Sequence, residues 1–248
     1  MHVPRRLPGS DSMKEALIVS RARQQLAANC DPAFREFVKP FIRTPLKIVG
    51  VRIPVLHSIA KEIARTDAEG YLKERPDQAF EETVLRGLVI ANTKKDNAWR
   101  LNALKAFIPR VQDWAACDVV CASLKPLRKE REAFLAFLEP YLYSKSEFEA
   151  RFALVSLMDH FLTPEYVNTV FAKIKKVNDT PYYVMMGKAW LIATAARKFP
   201  KETVDFLKKA KLSEETKKAT LRKIKDSRAV MPEVKRICEV FLKPKETL

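Results

Sequence analysis

Glycine sets the tightest limit on what this chain can become, because there are only 5 in 248 residues. Sandwiches and barrels depend on tight turns with positive φ, which glycine adopts at the lowest steric cost. A sheet-based fold of this length would have almost no supply of such turns. Ala, Leu, Lys, Glu and Arg are abundant instead, and all of them favour helix. The 15 prolines then serve as stops between helices. The expected fold class is all-α.

Hydrophobic residues make up 47% of the chain, enough to bury a core without disulfides or a structural metal. Apolar periodicity and breakers predict helices near 13–29, 31–42, 53–66, 79–92, 97–109, 114–124, 129–143, 147–161, 164–177, 181–198, 201–210, 214–227 and 232–242. Thr163-Pro164 and Thr180-Pro181 each place a capping residue before a proline suited to the first helical position. Ser213, followed by Glu214 and Glu215, marks another start. Starts near 79, 114, 147, 181 and 214 recur at about 34 residues, the period of a helical repeat array. The preferred reading is a solenoid of stacked antiparallel helix pairs. An irregular bundle with evenly spaced loops is the alternative. Residues 1–12 are polar and proline-rich and are expected to be disordered, with 13–248 a single domain and Met13 a possible true start.

Lys and Arg number 46 against 30 Asp and Glu, a formal net charge of +16. Such an excess opposes compaction through self-repulsion and favours a polyanionic partner. No apolar run approaches the roughly 20 residues of a membrane span. The N-terminal region carries no secretory apolar core, so a cytoplasmic protein is expected. Cys30, Cys117, Cys121 and Cys238 read as reduced and structural. With His2, His57 and His160 far apart, no metal site is expected.

Trp114 and Asp118 are four residues apart and share one helix face. Arg151 lies about one repeat beyond Asp118, where stacking would set the two side by side, and Trp190 belongs to the next equivalent helix. On pattern alone an Asp–Arg ladder is an ordinary staple between repeats, and tryptophan is more often core than site. Phe107, Phe134, Phe137, Phe148, Phe152 and Tyr166 follow helical spacing and read as core. In the strongly basic C-terminal region Lys218, Arg222 and Lys225 form one stripe, with Arg228 just beyond, suited to a phosphate backbone. An earlier run, Lys125, Arg128, Lys129 and Arg131, is interrupted by Glu130 and Glu132 and reads equally as contact surface or solvated face.

Several segments carry a resemblance: Gly50-Val51-Arg52-Ile53-Pro54, Ile59-Ala60-Lys61-Glu62-Ile63, Glu82 through Ala91, Trp114-Ala115-Ala116-Cys117-Asp118, Glu149-Ala150-Arg151-Phe152-Ala153, and Tyr182-Tyr183-Val184 leading to Ala189-Trp190-Leu191. In order and spacing, from about residue 13 to 242, they resemble the DNA alkylation repair family, the AlkD-like glycosylases built from HEAT-like repeats. The resemblance implies a HEAT-like array whose concave face meets duplex DNA carrying alkylated bases, acting as a monomer without a cofactor. It also implies Trp114 and Trp190 as aromatic walls, Asp118 as the catalytic carboxylate and Arg151 as its companion. Phe41 stands where active relatives can present a tyrosine, keeping the ring and losing the hydroxyl. The implied activity is excision of cationic N3- or N7-alkylated purines. Two alternatives remain open: a DNA-binding member without excision, and a scaffold whose basic groove takes acidic protein partners.

Overall fold

A computed structural model describes residues 10–73 and 75–243, with side chains from Glu15 onward. Among these residues there are fourteen α-helices and no strand, only one isolated bridge between Lys47 and Ala79. The expected all-α helical-repeat fold is what the chain adopts. The described residues gather into two compact units that divide between Ser123 and Leu124.

The first unit contains α1 (Ser10–Ala28), α2 (Pro32–Val38), α3 (Ile53–Thr66), α4 (Ala68–Leu72), α5 (Phe80–Asn92), α6 (Asn97–Phe107) and α7 (Trp114–Ser123). Its centre is α5, where every residue from Phe80 to Ala91 is buried between α3, α6 and α7. Gly87 permits that packing. A Cβ placed there would sit 2.2 Å from Val120 of α7 and 2.8 Å from Phe107, so any side chain would push α7 away. Two buried arginines brace the ends of α5. Arg86 holds Asp77 at 2.7 Å and the Leu72 and Arg75 carbonyls at 3.1 Å, securing the turn from α4. Arg100 donates to the carbonyls of Ile90 and Thr93, closing the turn into α6.

The second unit contains α8 (Arg131–Leu142), α9 (Glu147–Phe161), α10 (Val167–Ile174), α11 (Tyr182–Lys198), α12 (Pro200–Lys209), α13 (Glu214–Asp226) and α14 (Pro232–Leu242). One layer is α9, α11 and α13, each packed on the next, while α10, α12 and α14 form the second layer. Starts of α5, α7, α9, α11 and α13 recur after 34, 33, 35 and 32 residues, close to the predicted period.

Some local expectations are corrected. α1 begins at Ser10, so helix covers residues 10–12 as well, and residues 1–9 lie outside the described residues. The five-residue α4 was not anticipated, and α2 ends at Val38 rather than 42. α10 starts at Val167, three residues after the proline expected to open it, and the Thr163 hydroxyl is buried without a partner rather than capping. At α11 the Thr180 hydroxyl turns to Asn178, and the Tyr183 N–H is taken by the Glu147 carboxylate from α9. A long-range carboxylate displaces the local cap there. Ser213 does cap α13, accepting from Thr216 N–H at 3.2 Å.

Candidate functional site

In the first unit, residues 39–52 run irregularly between α2 and α3, and three carboxyl and indole groups hold them. Glu81, buried in the first turn of α5, accepts from the backbone N–H groups of Val49 (3.0 Å), Gly50 (2.7 Å) and Val51 (3.3 Å). Three converging N–H donors form a cup that only an anion fills well. Gly50 closes it at φ +92°, where a Cβ would also lie 2.6 Å from the Cβ of Arg35. Further back, Asp113 accepts from Arg43 N–H at 3.1 Å and from Ala115 N–H at 2.6 Å, the latter in the first turn of α7. Trp114 then donates its indole Nε1–H to the Phe41 carbonyl at 2.8 Å. The structure thus brings two of the expected site residues together. Phe41 exposes 58% of its surface and stacks at a tilt on Phe37, 5.8 Å between ring centres.

Asp118 sits one turn beyond Trp114 on α7, and both side chains are half-buried. Burial holds the Asp113 carboxyl above its ordinary value, and the negative charge of Asp118 adds to the rise, against the backbone donors that lower it. A folded-state pKa above the unfolded one means that the native protein keeps this proton longer. Its stabilising contribution is therefore complete below the ordinary carboxylate range and is lost as pH rises through the folded value. Relative to Asp113→Asn, the wild type should accordingly gain denaturation midpoint as pH falls from 7 toward 4. A gap that widens in the opposite direction would show that the backbone donors outweigh burial.

In the second unit, Arg151 is 6% exposed on α9 and donates Nη1 to the Tyr183 carbonyl at 2.9 Å. Glu147, one turn earlier, takes the N–H of the same residue. Between them they set the register of α11, on which Trp190 lies two turns after Tyr183. Trp190 is 37% exposed among otherwise buried neighbours. It forms a wall of an open groove of about 630 Å³ between α9, α11 and α13, with Met158, Thr194, Arg197, Lys198 and Lys223 among the lining residues.

Lys218, Arg222, Lys225 and Arg228 are all exposed. Arg222 lies 3.8 Å from Asp226, and Lys225 pairs with Glu239 of α14 at 2.8 Å. The earlier basic run is partly committed to the fold. Arg128 donates to the Asp159 carbonyl and His160 Nδ1, and Arg131 to the His160 carbonyl, at the end of α9. Sequence reasoning passed over Glu81, Asp113 and the groove cations Arg197 and Lys198. Asp113 had a legible signal as an acid immediately before a helix. The others had none.

No helix among the described residues is long and apolar enough to cross a membrane. A family profile described as DNA alkylation repair enzyme matches residues 22–225. No curated protein matches the chain.

Proposed function

The chain belongs to the DNA alkylation repair enzyme family, and from that membership we propose that it is a DNA glycosylase releasing cationic N3- or N7-alkylated purines from duplex DNA. One observation carries the reading. α7 presents a carboxylate, Asp118, one helical turn from an indole, Trp114, whose ring is anchored to the backbone of the exposed Phe41.

That set suits a leaving group that is already positive. As the C1′–N9 bond breaks, its electrons neutralise the alkylated purine, so no acid is needed to protonate the base. The sugar takes on oxocarbenium character, and water adds at C1′. Asp118 stabilises the sugar cation and accepts the proton of the incoming water. Indole faces attract cationic groups, which gives Trp114, and Trp190 in the second unit, affinity for the charged base or sugar. Phe41 supplies a further ring. Arg151 contributes by holding α11 in register. The net charge of +16 and the exposed side chains of α13 supply attraction to phosphate.

The test is release of 3-methyladenine and 7-methylguanine from methylated duplex by the purified protein, above the rate without protein. Background release with intact duplex binding would leave a non-catalytic DNA binder, and the glycosylase reading would fall. Salt dependence examines the basic face separately. Each phosphate contact adds about 0.9 to the slope of log K against log salt. Lys218→Ala is expected to lower that slope by about 1. Lys225→Ala should change it less, since Glu239 already engages its ammonium. Equal slopes for wild type and Lys218→Ala would remove this residue from the interface.

A further inference from the structure

We propose that a pocket between α1 and the turn from α4 into α5 binds a free phosphate monoester, held through the guanidinium of Arg75 with Arg23 beside it. The proposal goes beyond the excision reading and does not depend on it. The pocket shares no lining residue with the group formed by Phe41, Trp114 and Asp118.

The first support is an unmet charge. Arg75 rests on the ring of Tyr71, with Cζ 4.6 Å from the ring centre, and donates Nη1 to the Tyr71 carbonyl at 2.6 Å. Its Nε and Nη2, which lie along one edge of the guanidinium plane, are buried and donate to nothing among the described residues. The Tyr71 hydroxyl, on a fully buried side chain, is likewise without a partner. A shielded donor left unsatisfied is costly, and a cationic one more so. The nearby carboxylates do not relieve it, because they are engaged elsewhere. Asp77 accepts from Arg86 at 2.7 Å on one oxygen and from Thr83 at 3.1 Å on the other, and both oxygens of Glu82 accept from Arg23. Burial holds the Arg75 guanidinium below its ordinary pKa, and the positive charge of Arg86 adds to the fall. An anion at that edge would oppose both.

The second support is access. Arg75 lines an open pocket of about 620 Å³, inside the roughly 300–1,000 Å³ span of small-molecule sites. α1 supplies the rest of the lining at helical spacing, with Ala16, Ser20, Arg23 and Ala27 on one face. Glu15, the acid of the pocket, is drawn to Lys73 at 3.0 Å. Arg23 commits Nε and Nη2 to Glu82 and keeps Nη1 for a ligand. The Nε and Nη2 edge of an arginine presents two parallel N–H groups at the spacing of two oxygens on one phosphorus. A rotation of the Arg75 side chain about its long stem turns this edge to an incoming ligand. A phosphate monoester brings a dianion for the two guanidinium groups, and its remaining oxygen can accept from the Ser20 hydroxyl or the Gln24 amide, both in the lining. A phosphate of DNA is a diester with one charge and two free oxygens, and it would leave Arg23 and those α1 groups unused.

Thermal unfolding and calorimetric titration with phenyl phosphate test this, against sodium chloride of equal ionic strength. Two charge-assisted bonds correspond to a Kd of about 1 mM or tighter. At a ligand concentration of about ten times Kd, the wild-type midpoint should rise by about 3–6 °C. Ser20→Trp fills the pocket from an exposed position on α1, which leaves the fold intact, and it should abolish both the rise and the heat of binding. Arg75→Lys keeps the charge and loses the two-nitrogen edge, so binding should weaken by about tenfold or more. The Ser20→Trp result stands whether or not Arg75→Lys folds. Benzoate, a monoanion on the same ring, should bind more weakly than phenyl phosphate. Equal rises in wild type and both variants would show a general anion effect on a chain of charge +16, and would overturn the site. So would the absence of a rise in wild type, or benzoate binding as tight as that of phenyl phosphate. Displacement of phenyl phosphate by unmethylated duplex would assign the anion to the DNA backbone, and the free ligand would fall. Base release is measured separately, so loss of this site leaves the excision reading standing, and failure of excision leaves the site.

Discussion

Asp118→Asn is expected to slow release of methylated purines by about 10²–10³-fold, the usual effect of removing one preorganised group that stabilises transition-state charge. The reason is electrostatic and specific to the step. A cationic base needs no proton donor, so the developing sugar cation is the species that requires help, and asparagine has the shape of aspartate without its charge. Duplex affinity should stay level or tighten, because a carboxylate facing a polyanion opposes binding. The loss would therefore fall on the rate at saturating DNA rather than on binding, and single-turnover kinetics separate the two. The same substitution carries an internal check on structure. Asp118 contributes to the elevation of Asp113, so the Asp113 carboxyl should titrate lower in Asp118→Asn if α7 keeps its place. Release at the wild-type rate, with that titration shifted as described, would rule out Asp118 as the catalytic carboxylate.

Glu81→Ala should destabilise the protein by about 3 kcal/mol or more, measured by denaturant unfolding. Three backbone N–H groups lose their shared acceptor at once, and each buried donor left unsatisfied costs about 1–3 kcal/mol. Glu81→Gln should cost less, since one acceptor oxygen survives while the new amide opposes the remaining donors. The same change bears on function. Glu81 secures residues 49–51 at one end of the segment that carries Phe41, while Asp113 and Trp114 secure the other. Base release by Glu81→Ala should fall even at temperatures where the protein remains folded. A cost under about 1 kcal/mol would mean that water replaces the carboxylate in that cup.

Much of the architecture was legible because helices announce themselves locally. Apolar spacing, proline stops and the scarcity of glycine located nearly every helix, and the recurring starts from Phe80 to Glu214 carried the repeat. Short or tertiary-supported pieces were not legible. α4 has five residues, too few for periodicity to register. Thr163 and Thr180 carried a good capping signal that the fold left unused, because at α11 Glu147 reached the helix start from a neighbouring helix. Of the candidate site, Trp114, Asp118 and Trp190 were marked by type and spacing together with a family likeness. Their degree of exposure was not. Arg151 is buried and donates to the Tyr183 carbonyl, a contact that nothing in its sequence neighbourhood displays.

By itself, the amino-acid sequence determined the helical class, the repeat period, the basic balance and the identity of the residues capable of chemistry. Tertiary structure alone decided which carboxylate holds the segment bearing Phe41, which arginines brace helix ends, and that Trp190 faces an open groove with Arg197, Lys198 and Lys223. The physical reason is that periodicity records which side of a helix is apolar, a property of the helix alone. The effect of a charge or an indole depends on what stands within a few ångströms of it, and those neighbours come from distant parts of the chain.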